Sequence, residues 1–218
     1  MNPKKIILVR HGVTAWNQQS RFQGSSDIPL SEEGEEQARR TGDRLASWHP
    51  DAIWCSPLGR AEKTAQLIAG ASEQAIEPEI HEELREMSFG YWEGLTMAEI
   101  KRRYPGEFEQ WRNGPFDNIP EGGESSLSIE KRSKQMAQKL LDSTLAKILV
   151  VAHGGTLRAL LASLLSASVP DLMWKMRMEN CSLSAVSVMK TRISLLYLND
   201  THHLRVKKDD ISGINLDV

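Results

Sequence analysis

Three short aliphatic runs constrain this chain more than any other feature: KIILV at 5–9, AIWCS at 52–56 and KILVVA at 147–152. Each is too short for a helix and apolar at successive positions, which suits strands covered on both faces. Helical patterns alternate with them. Behind the first run, PLSEEGEEQARRTGDRLASWH offers Ser31 as N-cap, acids in the first turn, and a stripe of Ala38, Thr41, Leu45 and Trp48. Behind the second, GRAEKTAQLIAG turns Ala61, Thr64, Ala65 and Ile68 to one side and stops at Gly70. SLSIEKRSKQMAQKLLDS places Leu127, Met136 and Leu140 similarly, and TLRALLASLLS is apolar nearly all round, so it is expected to be the most buried helix. SLSAVSVM and ISLLYLN, around a KTR turn at 190–192, read as an antiparallel hairpin closing one edge. The alternation predicts a three-layer α/β sandwich: a mostly parallel central sheet with one antiparallel edge strand and helices on both faces.

With 218 residues, 40% of them hydrophobic, and no repeat or linker, residues 1–218 are expected to form a single domain. A net charge of −2 provides no field for nucleic acid or an anionic membrane, so any affinity for anions must be local. The four aliphatics Ile6–Val9 are too few for a signal-peptide core, no stretch is long enough to span a bilayer, and a cytoplasmic location is expected. Cys55 and Cys181 lack metal-type spacing and are expected to be reduced and buried. One region, about 86–124, breaks the alternation with Tyr91, Trp92, Tyr104, Phe108, Trp111, three prolines and the turn EGGE. It reads as an inserted lid, partly helical around TMAEIKRRY, with Trp92 and Trp111 packing inside it and the KRR run at 101–103 on a solvated face. Glu82, Glu83 and Glu93 read as solvated acids, and the adjacent His202 and His203 carry no ligand role.

The three core strands all end in unusual polar residues: Arg10, His11 and Gly12; Ser56 through Arg60; His153, Gly154 and Gly155. Parallel strands bring their carboxyl ends to one edge, where such sheets bind ligands. Two arginines and two histidines therefore converge, and because like charges disfavour one another, the cluster makes sense only around an anion. The arginine fork matches phosphoryl oxygens, and the glycines after each histidine let backbone N–H groups approach them. A phosphate dianion would offset Arg10, Arg60 and one protonated imidazole. His11, flanked by cations, is expected to stay neutral with a free lone pair, a nucleophile able to form phosphohistidine. The leaving alkoxide needs a proton from a carboxylic acid beside the dianion, whose charge favours the protonated form. Glu86, in LREMSFGYWEG at the root of the lid, is the candidate, and it would afterwards take a proton from water.

LVRHGVTAWN, RFQGSSDIPLSEEGEEQA, SPLGRAEKTA, LREMSFGYWEG, VVAHGG and NCSLS, in this order, resemble the histidine phosphatase superfamily in its phosphoglycerate mutase-like branch, across essentially the whole chain. The resemblance implies that His11 becomes phosphorylated, that Arg10, Arg60 and His153 hold the phosphoryl group, and that Glu86 donates the proton. It also implies that Asn17, Gln23 and the Gly24 backbone line the pocket, that Gly154 adds its N–H, and that no metal or other cofactor takes part. Where members typically read RHGET this chain has Val13, so altered local packing or hydrogen bonding is expected there. LREMSFGYWEGLTMAEIKRRYP looks like the short phosphatase form and lacks the ERHYG-like and LQG-like segments of the mutases.

The reading is a metal-independent phosphomonoesterase acting on a small phosphorylated metabolite. Its rivals are a cofactor-dependent phosphoglycerate mutase and a phospho-ligand binding module without turnover; the presence of His11, Glu86 and His153 together speaks against the second. The resemblance suggests α-ribazole 5′-phosphate, phosphoserine, phosphoglycerates and sugar phosphates as substrates, and nothing in the lid selects among them. The lid aromatics or the edge hairpin would support a homodimer.

Overall fold

The computed structural model describes residues 3–72, 76–115, 118–190 and 192–205. In chain order the elements are β1 (Lys4–Arg10), α1 (Ala15–Gln18), α2 (Glu32–Leu45), β2 (Ala52–Cys55), α3 (Gly59–Ala69), β3 (Glu79–Ile80), α4 (Met97–Arg103), α5 (Pro105–Asn113) and α6 (Ser126–Asp142). They continue with β4 (Lys147–Ala152), α7 (Gly154–Leu164), α8 (Val169–Met173), β5 (Leu183–Met189), β6 (Arg192–Asp200) and α9 (His202–Arg205). The sheet order is β3-β2-β4-β1-β5-β6. Pairs β3/β2, β2/β4 and β4/β1 are parallel, whereas β5 runs against both β1 and β6. The expected hairpin thus closes one edge; of its KTR turn, Thr191 lies outside the described residues.

Alternation along the strands decides which helices pack where, because successive side chains point to opposite faces. Ile6, Leu8, Trp54, Ile148 and Val150 face α6 and α7, joining Met136, Leu140, Leu157 and Leu161. Ile7, Val9, Ile53, Leu149 and Val151 face α2 and α3, joining Leu45, Trp48, Ala61, Ala65 and Ile68. Ser31 caps α2 by accepting from Gly34 N–H, and eight of the eleven residues of α7 are buried. Leu127 departs from expectation: it is 77% exposed. It precedes Met136 by nine residues, about two and a half helical turns, and so lies on the opposite face; Ile129 takes the inward place.

Residues 86–124, of which 116 and 117 lie outside the described set, form α4, α5 and connecting turns around Trp92, Ile100 and Phe108. Lys101, Arg102 and Arg103 are exposed. Cys55 and Cys181 are buried and free. His202 and His203 lie on a helical turn, His203 buried and 3.1 Å from Thr41 Oγ1. No helix among the described residues is long and apolar enough to cross a membrane.

Candidate active site

The sheet ladder places the site. Arg10 pairs with Ala152, and the hydrogen bonds run one residue past each strand: His11 N–H donates to Ala152 O at 2.9 Å and Ser56 N–H to Val151 O at 3.0 Å. His11, Ser56 and His153 therefore leave the sheet side by side. A cavity of about 320 Å³ opens there, lined by Arg10, His11, Asn17, Gln23, Gly24, Arg60, Glu86 and Gly154. His153 stands behind His11, its ring centroid 5.1 Å away, fully buried, with Nε2 2.7 Å from Ser56 Oγ. All nine residues expected from the sequence are thus brought together.

His11 is 2% exposed, and its Nδ1 lies 2.7 Å from Gly12 O. Burial, then the charges of Arg10 and Arg60, hold this imidazole well below the ordinary histidine range, against the pull of the Gly12 hydrogen bond. A carbonyl can only accept, so the neutral ring carries its proton on Nδ1 and keeps the Nε2 lone pair free. His153 is lowered in the same way by burial and then by Arg60, His11 and Arg10. The expected protonated imidazole is therefore absent from the charge balance, and a third guanidinium, Arg158, stands in the cavity wall instead. It donates from Nε to Gly154 O at 2.8 Å and lies 5.0 Å from the centroid of the Trp174 ring. Arg158 is the one cation in the otherwise apolar run TLRALLASLLS, which was the signal available for finding it.

Burial pushes the Arg10 guanidinium down to about 10, opposed first by Glu86. Its Nη1 donates to Met178 O at 2.9 Å. Arg60, at the start of α3, donates to Ser26 O at 2.6 Å and Gly24 O at 2.8 Å, tying the 24–26 loop to the pocket floor. The same loop is gripped by Glu93, whose carboxylate accepts from the N–H and hydroxyl groups of Ser25 and Ser26, from Phe89 N–H and from Ser88 Oγ. Burial raises this group, but those hydrogen bonds outweigh it and leave Glu93 below the usual carboxylate range. Glu93 is not a solvated acid. Asn17 caps the turn after His11 by accepting from Thr14 N–H at 3.1 Å, and Asn180 bridges His11 O and Asn17 Oδ1 at 2.9 and 3.2 Å. The run NCSLS contained Asn180, but its reach to the strand end is a tertiary fact.

Glu86 seats on the N-terminus of α7. Its carboxylate accepts from Gly155 N–H and Thr156 N–H, each at 3.0 Å, and from Met87 N–H at 3.0 Å. A Cβ on Gly155 would lie 2.7 Å from Glu86 Oε1, so only glycine permits this seat. Two amides expected to face the anion are consequently engaged elsewhere: Gly155 N–H by Glu86, and Gly12 N–H by Thr64 Oγ1 at 3.1 Å. Val13 contributes through its backbone, its N–H donating to Gln37 Oε1 at 3.0 Å and its carbonyl accepting from Ser31. Among the described residues, no group of three or more His, Cys, Asp or Glu side chains is arranged to hold a metal ion. The arrangement presents to a small anionic ligand one imidazole lone pair, the guanidiniums of Arg10, Arg60 and Arg158 together with those of Arg21 and Arg177, and the carboxyls of Glu86 and Glu179.

Known proteins are similar to this chain in sequence and in fold. The chain is 33% identical over 201 residues to phosphoserine phosphatase 1 of Hydrogenobacter thermophilus, covering 92% of this chain and 94% of that one. It is 35% identical over 181 residues to 2,3-bisphosphoglycerate-dependent phosphoglycerate mutase 2 of Gloeobacter violaceus, covering 81% and 82%. The solved structure of the α-ribazole phosphatase from Shigella flexneri aligns with a TM-score of 0.82 at 29% identity, covering 90% of this chain and 96% of that one. With the family model matching residues 6–201, the chain is a phosphatase belonging to the histidine phosphatase superfamily, branch 1.

Proposed function

We propose that the protein hydrolyses a small phosphomonoester without a metal, through a phosphohistidine on His11 and with Glu86 as proton donor. The observation that carries this reading is the free Nε2 lone pair of a neutral, buried His11 inside a cavity walled by Arg10, Arg60 and Arg158. The guanidiniums supply preorganised positive charge where it develops on the phosphoryl oxygens. Nε2 attacks phosphorus, the ester P–O bond breaks, and the departing oxygen takes the proton from Glu86. Water then attacks the phosphohistidine, gives its proton to the Glu86 carboxylate, and orthophosphate leaves with His11 restored. His153 backs the His11 ring, and Asn17, Gln23, Gly24 and Gly154 are among the residues that line the pocket.

A cavity of about 320 Å³ suits a metabolite rather than a phosphoprotein side chain on a fold. Phosphoserine and phosphoglycerate are the classes named for the two relatives. Residues 86–124 act as a lid inserted in a single domain 1–218; Arg21 on the pocket wall reaches Glu99 of α4 at 3.0 Å, which ties lid to rim. Buried reduced cysteines suit the cytoplasm. The edge strand β6, with Leu195 and Leu198 exposed, is where a second copy would join in a homodimer, and sedimentation reads that directly.

Rapid quench of enzyme and ³²P-labelled substrate into alkaline sodium dodecyl sulfate tests the mechanism. Phosphorus labile to acid and stable to base should appear on His11, EDTA should leave the rate unaltered, and His11→Ala should abolish both label and turnover. Turnover with no label on His11 would sink the reading. Mutase activity is a second reading, favoured by the 35% match to a mutase. Isomerisation of 3-phosphoglycerate in the presence of a bisphosphoglycerate primer, faster than its hydrolysis, would establish it.

A further inference from the structure

We propose that Glu124 and Arg132 act as positioning residues that fix the donor carboxyl of Glu86, joining the end of the lid to the proton-transfer geometry. This rests on the reading of Glu86 as donor. Neither residue lines the cavity. They form a buried two-point ion pair: Arg132 Nε to Glu124 Oε1 at 2.8 Å and Nη2 to Oε2 at 2.9 Å, with side chains only 7% and 6% exposed. Ser128 Oγ donates to Oε1 at 2.8 Å, and Arg85 approaches both oxygens at 3.2 Å from the solvent side.

The pair is bonded to the backbone on both sides of Glu86. Arg132 Nη1 donates to the carbonyls of Glu83 at 2.9 Å and Arg85 at 2.8 Å, while Glu124 N–H donates to Ser88 O at 2.9 Å. The Thr156 hydroxyl donates to Arg85 O at 2.6 Å and sits 3.1 Å from Glu86 Oε1, so the helix that seats the carboxylate also binds the clamped peptide. Residues 85–88 are irregular backbone that follows a single 3-10 turn at Glu82–Leu84, with no strand or long helix to hold Glu86. A donor displaced by an ångström loses much of its advantage, so a side chain on such a segment needs external supports. A buried ion pair contributes little net stability over an apolar replacement, which leaves geometry as its use. Glu124 ends the 86–124 excursion, and the neighbouring Gly123 bridges to Phe89 of the pocket wall, so movement of the lid acts on Glu86 through this pair.

The test reads leaving-group selectivity in kcat/KM, which covers steps up to transfer onto His11. A p-nitrophenolate leaves without help, whereas an alkoxide needs the proton. The ratio of kcat/KM for glycerol 3-phosphate to that for p-nitrophenyl phosphate should fall about 10-fold or more in Glu124→Gln and in Arg132→Lys. The double variant Glu86→Gln/Glu124→Gln should show no further fall than Glu86→Gln alone, because residues acting as one unit are not additive. Glu124→Asp keeps the charge and retracts it by one methylene, and it serves where the other variants fail to fold. Arg85→Gln, which leaves the buried pair intact, should keep the ratio within about threefold. Equal losses on both substrates, or none on either, would overturn the proposal. If Glu86→Gln itself shows no selectivity, the donor assignment falls and this proposal with it; if Glu86→Gln is selective and the pair variants are not, only the proposal falls.

Discussion

His11 is reactive because of what its neighbours deny it. Burial and two guanidiniums keep its ring from protonating, and Gly12 O fixes which nitrogen stays bare. The histidine C–H resonances of His11 and His153 should accordingly show no titration between about pH 5.5 and 8, where an ordinary histidine passes through its midpoint. Titration of His11 near its ordinary value would contradict the electrostatic account. Arg158 makes a second case. Its Nε is spent on Gly154 O and its face on Trp174, but no carboxylate forms a salt bridge with it among the described residues. A guanidinium in that state is available to an anion. Arg158→Gln should weaken competitive inhibition by orthovanadate about 10-fold, a charge-assisted hydrogen bond's worth. An unchanged inhibition constant would make Arg158 a packing residue only.

At the scale of elements, the site depends on β1 ending tightly against α2. A Cβ on Gly12 would strike the carbonyl oxygen of Gly34, and one on Gly34 would strike that of Val13, so strand end and helix start touch through backbone alone. Gly12→Ala should destabilise the fold by about 1–3 kcal/mol through forced separation of these elements. It should also lower kcat, because Arg10 and His11 ride on the displaced segment; urea unfolding and steady-state kinetics together read both effects. The aliphatic runs and the caps made such elements legible in the sequence, because strand covering and helix capping act over neighbouring residues. The polar strand ends made the site legible too, since a parallel sheet brings all such ends to one edge. What stayed hidden was whatever depended on partners far along the chain. Glu93 reads as a surface acid until Ser25, Ser26 and Phe89 surround it, and no sequence signal singled out Arg132, whose partner Glu124 is brought to it by the fold. Leu127 was misplaced for a local reason: its spacing to Met136 is a half turn off the helical repeat.

The molecule as a whole folds around several histidines that it keeps uncharged, and this sets its response to acid. His11 and His153 are held low by burial and by the site's arginines, and His203, at the other side of α2, is pushed down to about 4. Around His203, burial is the main cause; Arg44 and Arg40 add to it, whereas Asp200 and a hydrogen bond to Cys181 oppose it. A histidine lowered on folding binds its proton more readily in the unfolded chain, so between the folded and unfolded values the unfolded state takes up the extra proton. For His203 stability is then full above pH 6.5, falls as the pH drops towards 4, and changes no further on its account below that. For His203 alone the loss between pH 6.5 and 4 is about 3 kcal/mol. Urea midpoints measured from pH 7.5 down to 4.5 should decline steeply, and His203→Gln, which has no proton to gain, should flatten that decline by about one proton's slope. A His203→Gln variant with the same pH dependence as the unaltered protein would show that the acid sensitivity arises elsewhere.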